Sequence, residues 1–228
     1  MVVLKLFKLM IGVIFSLAGG VTLAIAPAQV PATGEINGAI GSGSGVAWPS
    51  PRFVNGSGAA ANCVVDKLTG LMWAQNSIIG FVSASGGVPL AQPDYSNTTP
   101  SLNGMSWGNS SIAVSNMNAA TNKLCGYSDW RVPNKIEMAS LINYGVADTA
   151  NWLMYGTGTQ QQPSCDGARF SNVQLGGSYW TSSYNASQGR FSLAWTVIFT
   201  NGNPSIYPFF TFPSVIGALD NVWPVRGG

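Results

Sequence analysis

Histidine is absent from the 228 residues, so general acid–base work near neutral pH falls to eight carboxylates: Glu35, Asp66, Asp94, Asp129, Glu137, Asp148, Asp166 and Asp220. That absence excludes a Ser-His-Asp triad, a Cys-His dyad and a histidine-ligated zinc site. Glycoside hydrolysis needs two carboxylates facing each other across a groove. No pair here shares a motif. Asp66 precedes the turn Thr69-Gly70, where an aspartate accepts backbone amides, and Asp129 and Glu137 have structural roles open to them. The expectation is a protein that is not an enzyme and carries no metal and no cofactor. Sugar binding is the other chemistry to weigh, since it uses exposed aromatic faces together with Asn and Gln side chains. Trp107, Trp152, Tyr155, Trp180, Tyr184, Trp195 and Trp223 are open to that role, but Trp180, Trp195 and Trp223 sit in strand-like segments and read as core. Trp152 and Tyr155, beside the segment Gly156–Gln162 with Gln160 and Gln161, are the surface candidates for binding.

Only 8% of the residues are charged, against roughly 25% in an average soluble domain. A disordered polyelectrolyte is thereby excluded, and a nucleic-acid binder lacks the basic stripe it needs. Met1–Ala28 has the three parts of a secretory signal. Lys5 and Lys8 form the basic region, Leu9–Ala26 is apolar, and small residues follow. Two cleavage frames compete, Ala24-Ile25-Ala26 and Ala26-Pro27-Ala28. The second avoids leaving Pro27 at the new terminus, so cleavage is expected after Ala28. An uncleaved anchor is the alternative. The formal charge of +2 belongs to Lys5 and Lys8. Beyond the leader, eight basic residues balance eight acidic ones, as suits a neutral domain that is secreted or displayed at the cell surface.

The elements that would position these residues begin after a linker. Residues 29–61 are rich in Gly, Ser and Pro and read as a flexible arm, leaving a domain over residues 62–228. Val64-Val65-Asp66 and Leu71-Met72-Trp73-Ala74 predict two strands joined by a turn. Residues 76–106 read as a long loop. Ile112, Val114, Met117 and Ala120 give Ser111–Leu124 a helical period. Asn134 and Glu137 have the spacing of a capping box, with Met138, Leu141 and Ile142 as a buried face and Gly145 as the stop. Tyr179–Ser183, Ala194–Phe199, Ile206–Phe212 and Asn221–Arg226 predict strands, with Asn201-Gly202 as a hairpin turn. Two helices packed on short antiparallel sheets make an α+β fold.

Several strings in this order resemble one bacterial family. They are Asp66…Thr69-Gly70-Leu71-Met72-Trp73, Leu124-Cys125-Gly126-Tyr127-Ser128-Asp129-Trp130-Arg131-Val132-Pro133-Asn134-Lys135-Ile136-Glu137-Met138, Tyr179-Trp180-Thr181-Ser182-Ser183 and Val222-Trp223-Pro224-Val225-Arg226. The family is that of the Lcl (Legionella collagen-like protein) C-terminal domain. The resemblance implies a C-type-lectin-like fold, related to that of formylglycine-generating enzymes. It gives structural roles to Asp66, Trp73, Asp129, Trp130, Arg131, Pro133, Glu137, Trp180, Trp223 and Arg226. The unit Asp129-Trp130-Arg131 reads as a buried Trp flanked by a structural Asp–Arg pair, with a binding site as the alternative. The resemblance also implies a Cys63–Cys125 disulfide, leaving Cys165 over, with Cys125–Cys165 as the other pairing.

In the family's best-known member this domain follows a collagen stalk and serves adhesion and glycosaminoglycan binding. This sequence has no collagen repeat, and its basic residues are scattered, with only Lys123, Arg131 and Lys135 near one another. Gln92-Pro93-Asp94 matches a calcium motif of true C-type lectins, but it precedes both expected helices and reads as coincidence. No cysteine follows Cys165, which leaves out the late cysteine pair of formylglycine-type oxidases. The functional expectation is a non-enzymatic binding or adhesion domain that recognises a glycan or an extracellular protein. A structural subunit of an extracellular fibre or surface layer, built by self-association, is the alternative.

Overall fold

The computed structural model describes residues 48–49, 51–56, 62–82, 89–95, 104–146, 148–156, 170–185, 193–199, 209–215 and 218–227. Gln160, Gln161, Cys165 and the leader lie outside them. Among the described residues, three antiparallel sheets and three helices make up the fold. The first sheet has the order β1-β2-β3-β9, with β1 Phe53–Asn55, β2 Cys63–Asp66, β3 Met72–Ala74 and β9 Val225–Arg226. Strands β4 (Gly80–Val82) and β5 (Pro89–Asp94) form a hairpin, and β6 (Ser178–Asn185), β7 (Leu193–Phe199) and β8 (Phe209–Val215) a third sheet. Helices α1 (Trp107–Ala119), α2 (Lys135–Ser140) and α3 (Thr149–Tyr155) lie between β5 and β6 in the chain.

Local chemistry explains most of the boundaries. The β2–β3 turn is built by Asp66, whose Oδ1 accepts the Leu68 amide at 3.0 Å and whose Oδ2 accepts the Thr69 hydroxyl at 3.0 Å. Gly70 then takes φ +74°, a conformation that a Cβ disfavours. At α2, the Asn134 side chain accepts the Glu137 amide and the Glu137 carboxylate accepts the Asn134 amide, both at 2.8 Å, completing the expected capping box. That helix stops at Ser140, earlier than Gly145. Leu141 and Ile142 are still buried, because the chain follows its own turn into the core.

Four expectations need correction. A third helix is present, N-capped by Asp148 and ended by Gly156 at φ 68°. The stretch 76–106 is not all loop, since it holds the β4–β5 hairpin, and Gln92-Pro93-Asp94 lies within β5. Phe53–Asn55, assigned to the linker, pairs with Val64–Asp66. The full burial of Phe53 and the pairing with β2 outweigh the flexible composition around them. Helix α1 starts four residues earlier than expected and buries Ala113, Val114 and Met117, while Ile112 is half exposed on the opposite side.

Trp223 is the hub of the core. Its ring meets Trp73 at 5.8 Å, Phe170 at 4.9 Å, Tyr179 at 5.5 Å and Phe199 at 6.1 Å between centroids. Three of these contacts are edge-to-face, the geometry that aromatic quadrupoles favour. Its indole N–H donates to the Ala74 carbonyl at 2.7 Å, and that of Trp180 to Met105 at 2.7 Å. Cys63 and Cys125 are joined by a disulfide with 6.4 Å between Cα atoms, tying β2 to the 3-10 turn Leu124–Gly126.

Candidate functional site

A groove of about 550 Å³ runs along α1. Trp107, Ser110, Ser111, Val114, Ser115 and Asn118 recur at three- and four-residue spacing, which puts them on one stripe of the helix. The buried Trp130 and Val132 form its base, and Arg131, Asn134, Glu137 and Ser182 the facing wall. That wall is an extended segment pinned from three sides. Asn118 spans the groove's end, accepting the Trp130 amide at 3.0 Å and donating to the Trp130 carbonyl at 2.8 Å. Arg131 exchanges both backbone bonds with Val225, and Pro133 accepts the Ser182 amide at 2.7 Å. Pro133 also keeps Val132 out of helical geometry, so the segment runs straight into the α2 cap. The indole N–H of Trp130 reaches the Leu124 carbonyl at 3.2 Å, beside the disulfide.

Arg131 and Glu137 are the two ionisable residues lining the groove. They form a fork of two 2.7 Å hydrogen bonds, and Arg131 Nη2 also donates to the Gly227 carbonyl at 2.7 Å. Burial pushes the Glu137 carboxyl up, but the Arg131 hydrogen bonds, the Asn134 amide and the guanidinium charge together hold it below the usual glutamate value. The carboxylate in turn raises Arg131. Both therefore stay charged and cancel each other.

Trp130 is buried as expected, but Asp129 and Arg131 do not pair with each other. They flank Trp130 in extended chain and point to opposite partners. Asp129 takes Arg226, at 2.7 and 3.0 Å, and these bonds lower its carboxyl. Arg226 also lies over the Tyr127 ring at 3.6 Å. Trp73, Trp180 and Trp223 are core, and Asp66 is buried against Arg52. Trp195 is only half-buried, with the Lys135 ammonium over its ring at 3.5 Å.

Trp152 is not a surface residue. It is 1% exposed and packs against Trp48 and Phe53, since α3 turns it inward. Tyr155 is 54% exposed but does not line the groove. Of its lining, Trp130, Arg131, Val132, Asn134, Glu137 and Ser182 were legible as parts of the family strings and Val114 as part of a helical period, whereas Ser110, Ser115 and Asn118 carried no signal. Trp107, one of the aromatics open to a sugar-binding role, does line it. Its indole donates to the Thr181 carbonyl at 2.8 Å, and its ring lies 6.1 Å from the exposed Tyr184. The three neighbouring cations Lys123, Arg131 and Lys135 are each engaged, with Lys123 on the Asn118 carbonyl at 2.8 Å. Among the described residues no cluster of three or more Cys, Asp or Glu could hold a metal ion, and no helix is long and apolar enough to cross a membrane.

These features define a disulfide-linked α+β domain whose extended Trp-Arg-Val-Pro segment faces a helix across a groove with a mainly apolar lining and a polar rim. Residues 62–226 match the Lcl C-terminal domain, and the chain belongs to that family. A comparison with curated proteins finds no match.

Proposed function

We propose that the protein is exported and acts outside the cell, or on its surface, as a non-enzymatic binding and adhesion domain that holds a glycan or a protein partner in the α1 groove. The carrying observation is the groove itself. Its volume of about 550 Å³ falls within the range of ligand sites, about 300–1,000 Å³, while its two ionisable residues are locked onto each other. A general acid or base needs an accessible proton-transfer atom near its working pKa, and this pair offers none. Export is supported by the leader-like Met1–Ala28. A C-type-lectin-like architecture is supported by the pairing of β9 with β3, which draws the two ends of the domain into one sheet with the helices between.

Ser115→Trp tests the reading. Ser115 is exposed on the groove stripe, so an indole there fills the groove at little cost to the helix. Beads coated with the purified protein should adhere to glycan- or matrix-coated surfaces, and the variant should lose that adhesion while melting normally. Undiminished adhesion by the folded variant would move the site elsewhere. Polymer growth that needs residues 29–60 would instead support a fibre subunit.

A further inference from the structure

Building on the groove as the binding site, we infer that it takes an uncharged saccharide and rejects sulfated or carboxylated ones, with Glu137 as the residue that sets this selectivity. A guanidinium facing a groove ordinarily invites an anion, because its planar fork matches sulfate and carboxylate oxygens. Here that fork is filled from within. Both Arg131 terminal nitrogens bond Glu137, and one also bonds the Gly227 carbonyl. An incoming anion would have to displace a carboxylate that is itself held by the Asn134 amide at 2.8 Å. It would also stand beside the Glu137 charge, and like charges brought together in a site cost strongly. The neighbouring cations do not compensate, since Lys123 serves the α1 carbonyl of Asn118 and Lys135 lies over Trp195.

Beside its mainly apolar surface, the groove offers hydrogen-bonding groups suited to sugar hydroxyls. Ser111 and Ser115 on one side and Asn134 and Ser182 on the other are all exposed, and Ser115 and Ser182 have no side-chain hydrogen bond among the described residues. A serine hydroxyl donates and accepts, as each sugar hydroxyl does. Trp107, its edge anchored by Thr181, supplies an aromatic ring at the groove. An extended peptide finds no comparable match. Strand addition to β6 at this point is blocked, because the Ser182 and Trp180 amides already bond Pro133 and Asn221.

Glu137→Gln separates the claim from the reading beneath it. Glutamine at this helix position still closes a capping box, so the variant keeps its fold, which a melting curve checks, but frees the Arg131 charge. The purified protein should bind neutral oligosaccharides on an array at physiological salt and bind heparin at least about tenfold more weakly. The glutamine variant should gain heparin binding by a similar factor, and Ser115→Trp should abolish both. Equal heparin and neutral binding by the unaltered protein would overturn the inference, as would a folded glutamine variant with unchanged selectivity. Binding of a protein and of no glycan, blocked by Ser115→Trp, would overturn the inference and leave the groove standing. Binding indifferent to Ser115→Trp would overturn both.

Discussion

Arg52 and Asp66 meet through hydrogen bonds of 2.9 and 2.6 Å, with side chains only 3% and 0% exposed. Asp66 is saturated, since it also accepts from Leu68 and Thr69. Arg52 carries the link onward by donating to the Ser140 carbonyl at 2.7 Å, and its guanidinium lies 4.5 Å from the Trp48 ring centre. One ion pair thus joins the residue preceding β1, outside the family match, to a turn inside it and to the end of α2. Removing one partner of such a buried pair costs about 3–5 kcal/mol, whereas replacing both by apolar residues costs far less. Asp66→Ala should lower urea stability by that amount, and Arg52→Met with Asp66→Leu should recover part of it. A loss under about 1 kcal/mol for the single variant would contradict this.

The Cys63–Cys125 disulfide spans 62 residues. Closing a loop of that length restricts the unfolded chain by about 4 kcal/mol in the chain-entropy treatment. Replacing both cysteines by alanine should lower the urea midpoint accordingly. It should also change the tryptophan near-ultraviolet dichroism, since Trp130 is bonded to Leu124 beside the bridge. Identical spectra and midpoints would show that the bridge holds nothing in place.

Tyr179 sets an alkaline limit. Burial pushes its phenol from 10.0 up to about 12, with the Ser77 hydroxyl and the Gln174 amide opposing the rise. Above about pH 10 the unfolded chain has lost a proton that the folded chain retains, so stability declines as pH rises and this contribution is gone beyond about 12. Urea midpoints measured from pH 9 to 12 should therefore fall more steeply for the unaltered protein than for Tyr179→Phe. Parallel slopes would rule out the phenol as the cause.

Chelation gives a simple check on the carboxylates. With Asp129 committed to Arg226, Glu137 to Arg131 and Asp66 to Arg52, EDTA should leave the melting temperature unchanged. A clear drop that calcium restores would show that an ion stabilises the fold.

Features set by neighbouring residues were legible in the sequence. The Asn134–Glu137 cap closes within one helical turn, and the Asp66–Gly70 turn within five residues. The α3 signals, Asp148 and Gly156, were equally local but bracket a helix of only seven residues, too short to show a period. Other features depend on contacts that no window contains. Asp129 meets Arg226 across 97 positions, and Trp107 meets Thr181 across 74. Ile112 matched the helical period and still faces solvent, because the core contacts α1 on the side of Ala113 and Met117. The groove stayed hidden for the same reason, being non-local and built on a helix whose amphipathic pattern is weak.

The pairing of Trp73 with Val225 also governs the order of events during synthesis. Strand β3 leaves the ribosome about 150 residues before the strand that closes its edge, and Trp223, the ring that joins the sheets, emerges just ahead of that strand. Until both are made, the first sheet has an open side and the core lacks its hub. The first sheet and the core are therefore closed only after residues 223–225 have been made.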